Sequence, residues 1–144
     1  MESQSLLPRG PIPKRLLWQV FVISACVLAA EVALTRVFSA VLRYHFVFLI
    51  ISAAICGMGI GGELVYLCRP LRRPGGWAAG GFSLSLPGFL VVLFRGILLH
   101  GEVHIWLIAV LVTIPFVFAG AYLSAAFREH PEGAGRLYAW DLAG

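Results

Sequence analysis

The sequence predicts an all-α integral membrane protein with four transmembrane helices arranged as two antiparallel hairpins. The first observation is composition: 60% of the residues are hydrophobic, only 12% are charged, and the mean hydropathy is +0.89. That lies far above ordinary globular usage. The second is length, because the apolar residues fall in four runs, each near the roughly 20 residues a helix needs to cross a bilayer. The third is punctuation, since the runs are divided by short breaks rich in proline, glycine or charge. The net charge of +4 fits cationic loops against anionic headgroups. No basic stripe is interleaved with aromatics, so nucleic acid is not expected as a partner.

Residues 1–15 form a polar tail whose Pro8, Gly10, Pro11 and Pro13 oppose helix, so it is expected to be disordered. The first span covers residues 16–42 and carries Glu31 near its middle with Thr35 and Arg36 beyond. Tyr44 and His45 make a very short turn into the second span, residues 46–67, so these two helices are expected to pack as a hairpin. A loop from Arg69 to Gly76, rich in Pro, Gly and Arg, precedes the third span at 77–99, and a turn from His100 to His104 precedes the fourth at 105–127. Pro115 removes a backbone bond inside that last helix, and a kink is expected there. Residues 128–144 then form a tail containing Gly-Arg-Leu-Tyr-Ala-Trp-Asp-Leu-Ala-Gly, expected either to start a further membrane-associated helix or to dock on a partner.

Counting Lys and Arg by side gives the orientation. Arg9, Lys14, Arg15, Arg69, Arg72, Arg73, Arg128 and Arg136 fall on one face, against Arg43 and Arg95 toward the other, so both termini are expected in the cytoplasm.

Gly57-Met58-Gly59-Ile60-Gly61-Gly62 formally matches a dinucleotide-binding fingerprint, but no acidic residue follows between Glu63 and Glu102 and no strand precedes it. The glycines read instead as a helix face, with Gly57 and Gly61 one turn apart, that lets a neighbouring backbone approach closely. Cys26, Cys56 and Cys68 are odd in number and lie in or beside apolar runs, so they read as small core residues, not as a disulfide or zinc set. Ile23-Ser24-Ala25-Cys26 has the form of a bacterial lipoprotein cleavage box, but the residues after it stay apolar where a mature lipoprotein turns polar, and cleavage is not expected.

Charges at membrane depth are costly unless they face other helices, water or each other, so Glu31 and Arg36 ask for partners. Five positions apart, they point about 140° away from one another on a helix and cannot pair within it. Two readings of Glu31 stay open: a proton-linked transport carboxylate, or a polar group that fixes helix packing. His45, His100 and His104 all fall in the outer turns with Glu102, which admits a metal or haem iron. Nothing in the sequence supplies the surrounding pattern such a site needs, so no cofactor is expected.

Two stretches carry a family resemblance. Pro115-Phe116-Val117-Phe118-Ala119-Gly120-Ala121 followed by Gly135-Arg136-Leu137-Tyr138-Ala139-Trp140-Asp141-Leu142-Ala143-Gly144 resembles membrane-embedded spermidine-synthase-like proteins, in which a proline-containing helix precedes a similar closing motif. Ala30-Glu31-Val32-Ala33-Leu34-Thr35-Arg36 resembles the first helix of that family, and Gly57 to Gly62 stand where its glycine-rich second helix lies. The resemblance runs from about Leu17 to Gly144. It implies a multi-helix module that the family continues with further helices or with a soluble aminopropyltransferase-type domain.

No such soluble domain follows in this sequence, so no catalytic residue is carried over. Aminopropyl transfer needs a carboxylate-lined pocket beside a sulfonium donor, and seven scattered acidic residues do not make one. The expectation is therefore a non-catalytic membrane module in the bacterial cytoplasmic membrane, an anchor or accessory subunit whose partners are other membrane subunits or further copies of itself. The alternative is a small proton-coupled exporter. Ala29-Ala30-Glu31-Val32 is similar to the setting of the first-helix glutamate in the small multidrug resistance family, although Arg36 and the closing motif have no counterpart there.

Overall fold

The computed structural model describes residues 12–41, 45–68, 76–100 and 105–144, with side chains described at 12–40, 47–68, 76–96 and 106–144. Four long helices form: α1 (Lys14–Val41), α2 (His45–Leu67), α3 (Gly76–His100) and α4 (Ile105–Glu129). A 3₁₀ turn, Pro131–Gly133, leads into a short α5 (Ala134–Ala143). No strand occurs among the described residues, and α1 to α4 are each long and apolar enough to cross a membrane. Each span lies within two residues of its sequence-predicted bounds, because an apolar run and its breakers define a membrane helix almost alone. α3 and α4 continue as single helices through Pro87 and Pro115.

The alternation of direction follows from contacts at one end of the bundle. Gly133, just past α4, sits against the side chain of Ile12, just before α1, so α4 finishes where α1 starts. The tightest packing, however, joins α2 to α4 and not one sequence neighbour to the next. These two helices run parallel. Going up α2 through Gly57, Gly61 and Gly62, the facing residues on α4 advance through Thr113 and Phe116, then Val117 and Ala121, then Ser124. The bundle is thus built across the two expected hairpins, around α4, which touches α1, α2 and α3.

Glycine makes that contact possible. A Cβ on Gly57 would lie 2.7 Å from the Thr113 carbonyl oxygen, and one on Gly61 would lie 2.6 Å from the Ala121 nitrogen and closer still to the Val117 carbonyl. Gly120 has the same relation to the backbone of Met58, so the close approach is reciprocal. In lipid, where apolar burial gives helices little reason to associate, such contact maximises dispersion between backbones.

α1 joins this pair by a seam of Leu16, Val20, Ile23, Val27, Ala30, Leu34 and Phe38, all buried and spaced three or four apart. Cys26 and Cys56 differ from expectation. Both are exposed on outward helix faces, and only Cys68 is half-buried. Apolar surroundings in sequence do not separate the core face of a membrane helix from its lipid face, because both are apolar.

Candidate interaction site

α1 carries a second seam on another face. Trp18, Phe21, Ala25, Leu28, Val32, Thr35 and Ser39 recur at spacings of three and four, the pattern by which one helix receives another. The lower part of this seam is occupied by α5. Trp18, Phe21 and Trp140 form a cluster of edge-to-face rings, with centroids 5.7 Å, 5.3 Å and 6.1 Å apart. The Ser24 hydroxyl donates a hydrogen bond to the Asp141 carboxylate. Gly144 lies against the Phe21 carbonyl, and a Cβ there would sit 3.0 Å from the Ala25 nitrogen.

The upper part of the seam is open. Leu28 and Val32 are 57% and 53% exposed, and the Thr35 and Ser39 hydroxyls turn back to bond the carbonyls of Val32 and Arg36 at 2.8 Å and 2.9 Å. Glu31 and Arg36 flank this open part, each about 70° from its centre line at roughly 100° per residue. Arg36 is exposed and Glu31 half-buried. Neither side chain is hydrogen-bonded or ion-paired to any described residue.

The residues singled out in the sequence therefore separate into three groups. Glu31, Thr35 and Arg36 line the open seam. Gly57, Gly61 and the fully buried Pro115 belong to the helix-packing core around α4. Of the closing motif, Leu137 is fully buried and Asp141 is held by Ser24, while Gly135, Arg136 and Tyr138 face outward. Residues 128–144 are thus a docked element, with α5 laid on α1. His104 lies outside the described residues, as do the side chains of His45 and His100. Among the described residues no three His, Cys, Asp or Glu side chains come together as a metal site.

Polar contacts that the sequence reading missed tie distant segments of the chain together. The Tyr122 hydroxyl donates to the Gln19 side-chain carbonyl at 2.9 Å, and Arg128 donates to the Val65 carbonyl at 3.3 Å while lying over the Tyr66 ring. Ser24 and Asp141 are 117 positions apart. No local pattern marks such pairs; the only signal was that polar side chains stood inside apolar runs, where each needs a partner.

Helices of membrane-crossing length, packed through small residues and carrying intramembrane charge, define a polytopic helical membrane protein. No protein-family model matches the chain, and comparison with curated proteins and with solved structures finds no match either.

Proposed function

We propose that this chain is a non-catalytic membrane module, an anchor or accessory subunit of a larger membrane assembly, resembling the transmembrane part of spermidine-synthase-like proteins. The observation that carries this reading is the open upper seam of α1. An apolar stripe more than half exposed is ordinary against lipid, but one flanked by a carboxylate and a guanidinium without partners among the described residues is costly there. A parallel partner helix would cover the stripe and bring a basic group to Glu31 and an acidic group to Arg36. Flanking charges five positions apart suit such pairing between two parallel helices. A second copy of α1 has the matching charges, and so would a suitably charged helix of another subunit.

Lys14, Arg15, Arg128 and Arg136, all near one end of the bundle, support both termini on the cytoplasmic side, in keeping with the proposed place in the bacterial cytoplasmic membrane. The test is photo-crosslinking in native membranes from a reactive side chain at Val32, compared with one at Ala33 on a neighbouring face. A defined crosslinked species from Val32 alone, lost in Glu31→Gln and in Arg36→Gln, is the expected result. An uncrosslinked monomer, unchanged by either substitution, sinks the proposal.

A second reading, a small proton-coupled exporter, draws on Glu31 alone: a half-buried carboxylate inside a span with no bonded partner among the described residues. It requires that Glu31→Gln abolish substrate binding while leaving the oligomeric state intact. The subunit reading requires the reverse.

A further inference from the structure

Gly133, just before α5, lies beside Ile12, and Gly144, just after it, lies beside Phe21 and Ala25, so α5 climbs along α1 in the same direction, not across the end of the bundle. Ser24, the partner of Asp141, stands ten positions past Lys14, about 15 Å along the helix axis and so near the middle of a hydrocarbon core about 30 Å thick.

The outer face of α5 agrees with that depth. Beyond the first turn, the residues turned away from α1 are Tyr138, Ala139, Leu142 and Ala143, with Tyr138 57% and Leu142 70% exposed. A ten-residue helix lying in water would place polar residues there. The cation on that side, Arg136, is in the first turn, where a long side chain reaches the headgroups. On α1 the flanking residues Trp18 and Val22 are 57% and 50% exposed, so the apolar surface passes without a break from one helix to the other.

We infer that α5 is an intramembrane helix, entering the bilayer beside α1 from the Lys14 side, with its Tyr138, Ala139 and Leu142 face against lipid acyl chains. Asp141 then becomes an intramembrane carboxylate, and it is kept there by the Ser24 hydroxyl and the Trp18, Phe21 and Trp140 rings. An isolated short helix is marginal in water; docked on α1 in lipid, its backbone bonds are protected from competition by solvent.

The test uses the full chain with Cys26, Cys56 and Cys68 replaced by Ala, reconstituted in phosphatidylcholine and phosphatidylglycerol vesicles. Single spin labels are placed at Leu142→Cys, Ala139→Cys, Val22→Cys and Glu132→Cys. Collision with oxygen reports lipid, and collision with a water-soluble nickel chelate reports solvent. Labels at 139 and 142 should follow the one at 22, oxygen-rich with loss of nickel broadening, while the label at 132 should show the opposite. Nickel access at 142 equal to that at 132 overturns the inference. So does protection from both reagents, which would mean that a protein helix and not lipid covers the face. A Ser24→Cys, Asp141→Cys pair checks docking separately. Oxidative crosslinking within one chain is expected, and its absence in the folded, reconstituted protein also overturns the inference.

Discussion

Two of the helix contacts in this molecule, α2 on α4 and α5 on α1, use opposite chemistry. Between α2 and α4 the contact is made through small residues: Gly57, Gly61 and Gly120 bring backbones together against the carbonyls of Thr113, Val117 and Met58. Between α1 and α5 the contact is made by large and polar groups, three aromatic rings, the buried Leu137 and the Ser24–Asp141 hydrogen bond. The first contact depends on what is missing and has no tolerance for added volume. The second depends on what is present and weakens in steps as groups are removed. A membrane helix pair has both routes open to it, because burial of apolar surface alone favours neither over lipid.

The backbone contact is most vulnerable at Gly61. A Gly61→Leu substitution drives a side chain into the Val117 and Ala121 backbone, which cannot give way as a flexible side chain would, and should cost on the order of 3 kcal/mol. Unfolding by SDS titration in mixed micelles measures it, and a loss no larger than that of a lipid-facing substitution would show that the two helices are not in backbone contact. Leu137→Ala comes next at about 2 kcal/mol, from lost packing and the cavity left behind. Its effect should be a loosened α5, read as weaker crosslinking of the Ser24→Cys, Asp141→Cys pair, with α2 and α4 still paired.

Polar contacts follow at smaller scale. Tyr122→Phe removes the bond to Gln19 and should cost about 0.6 kcal/mol, the usual worth of a side-chain hydrogen bond between membrane helices. A much larger loss in the same titration would mean that the bond anchors the whole α1–α4 contact. The smallest effect lies within the glycine motif itself. Nothing lies within 4 Å of a Cβ built on Gly59, so Gly59→Ala should change stability by no more than about 0.5 kcal/mol, and in the favourable direction, as helix propensity suggests. Equal damage from Gly59→Ala and Gly57→Ala would contradict the assignment of Gly57 to the α4 contact.

How much of this was legible from the sequence differs between the two contacts. Gly57 and Gly61, one turn apart in an apolar run, announce a close helix approach wherever they occur. Their partner was not announced, and the sequence suggested pairing of α1 with α2 because a very short turn joins them. α1 and α2 do touch, but the closest approach to these glycines is made by α4, which has Gly120 and Ala121 at matching heights. The α5 contact was less legible still. Gly-Arg-Leu-Tyr-Ala-Trp-Asp-Leu-Ala-Gly suggests a membrane-associated helix or a docking element, but that it docks on α1 of the same chain is seen only from the Ser24–Asp141 hydrogen bond and the burial of Leu137.

The four spans were written into the chain: their number, their ends to within two residues and their apolarity. These follow from the requirement that each spanning segment satisfy its own backbone in lipid, which is a property of the segment alone. Glu31 and Arg36 were likewise marked as groups needing partners, since the cost of a charge at that depth does not depend on what is nearby. Which faces meet was settled by packing in three dimensions: α2 lies on α4, Cys26 and Cys56 face outward, and α5 covers the lower seam of α1 and leaves Leu28, Val32, Glu31 and Arg36 open. The physical reason is that lipid and core are equally apolar, so the choice between them rests on shape and on single hydrogen bonds, and both arise between segments far apart in the chain.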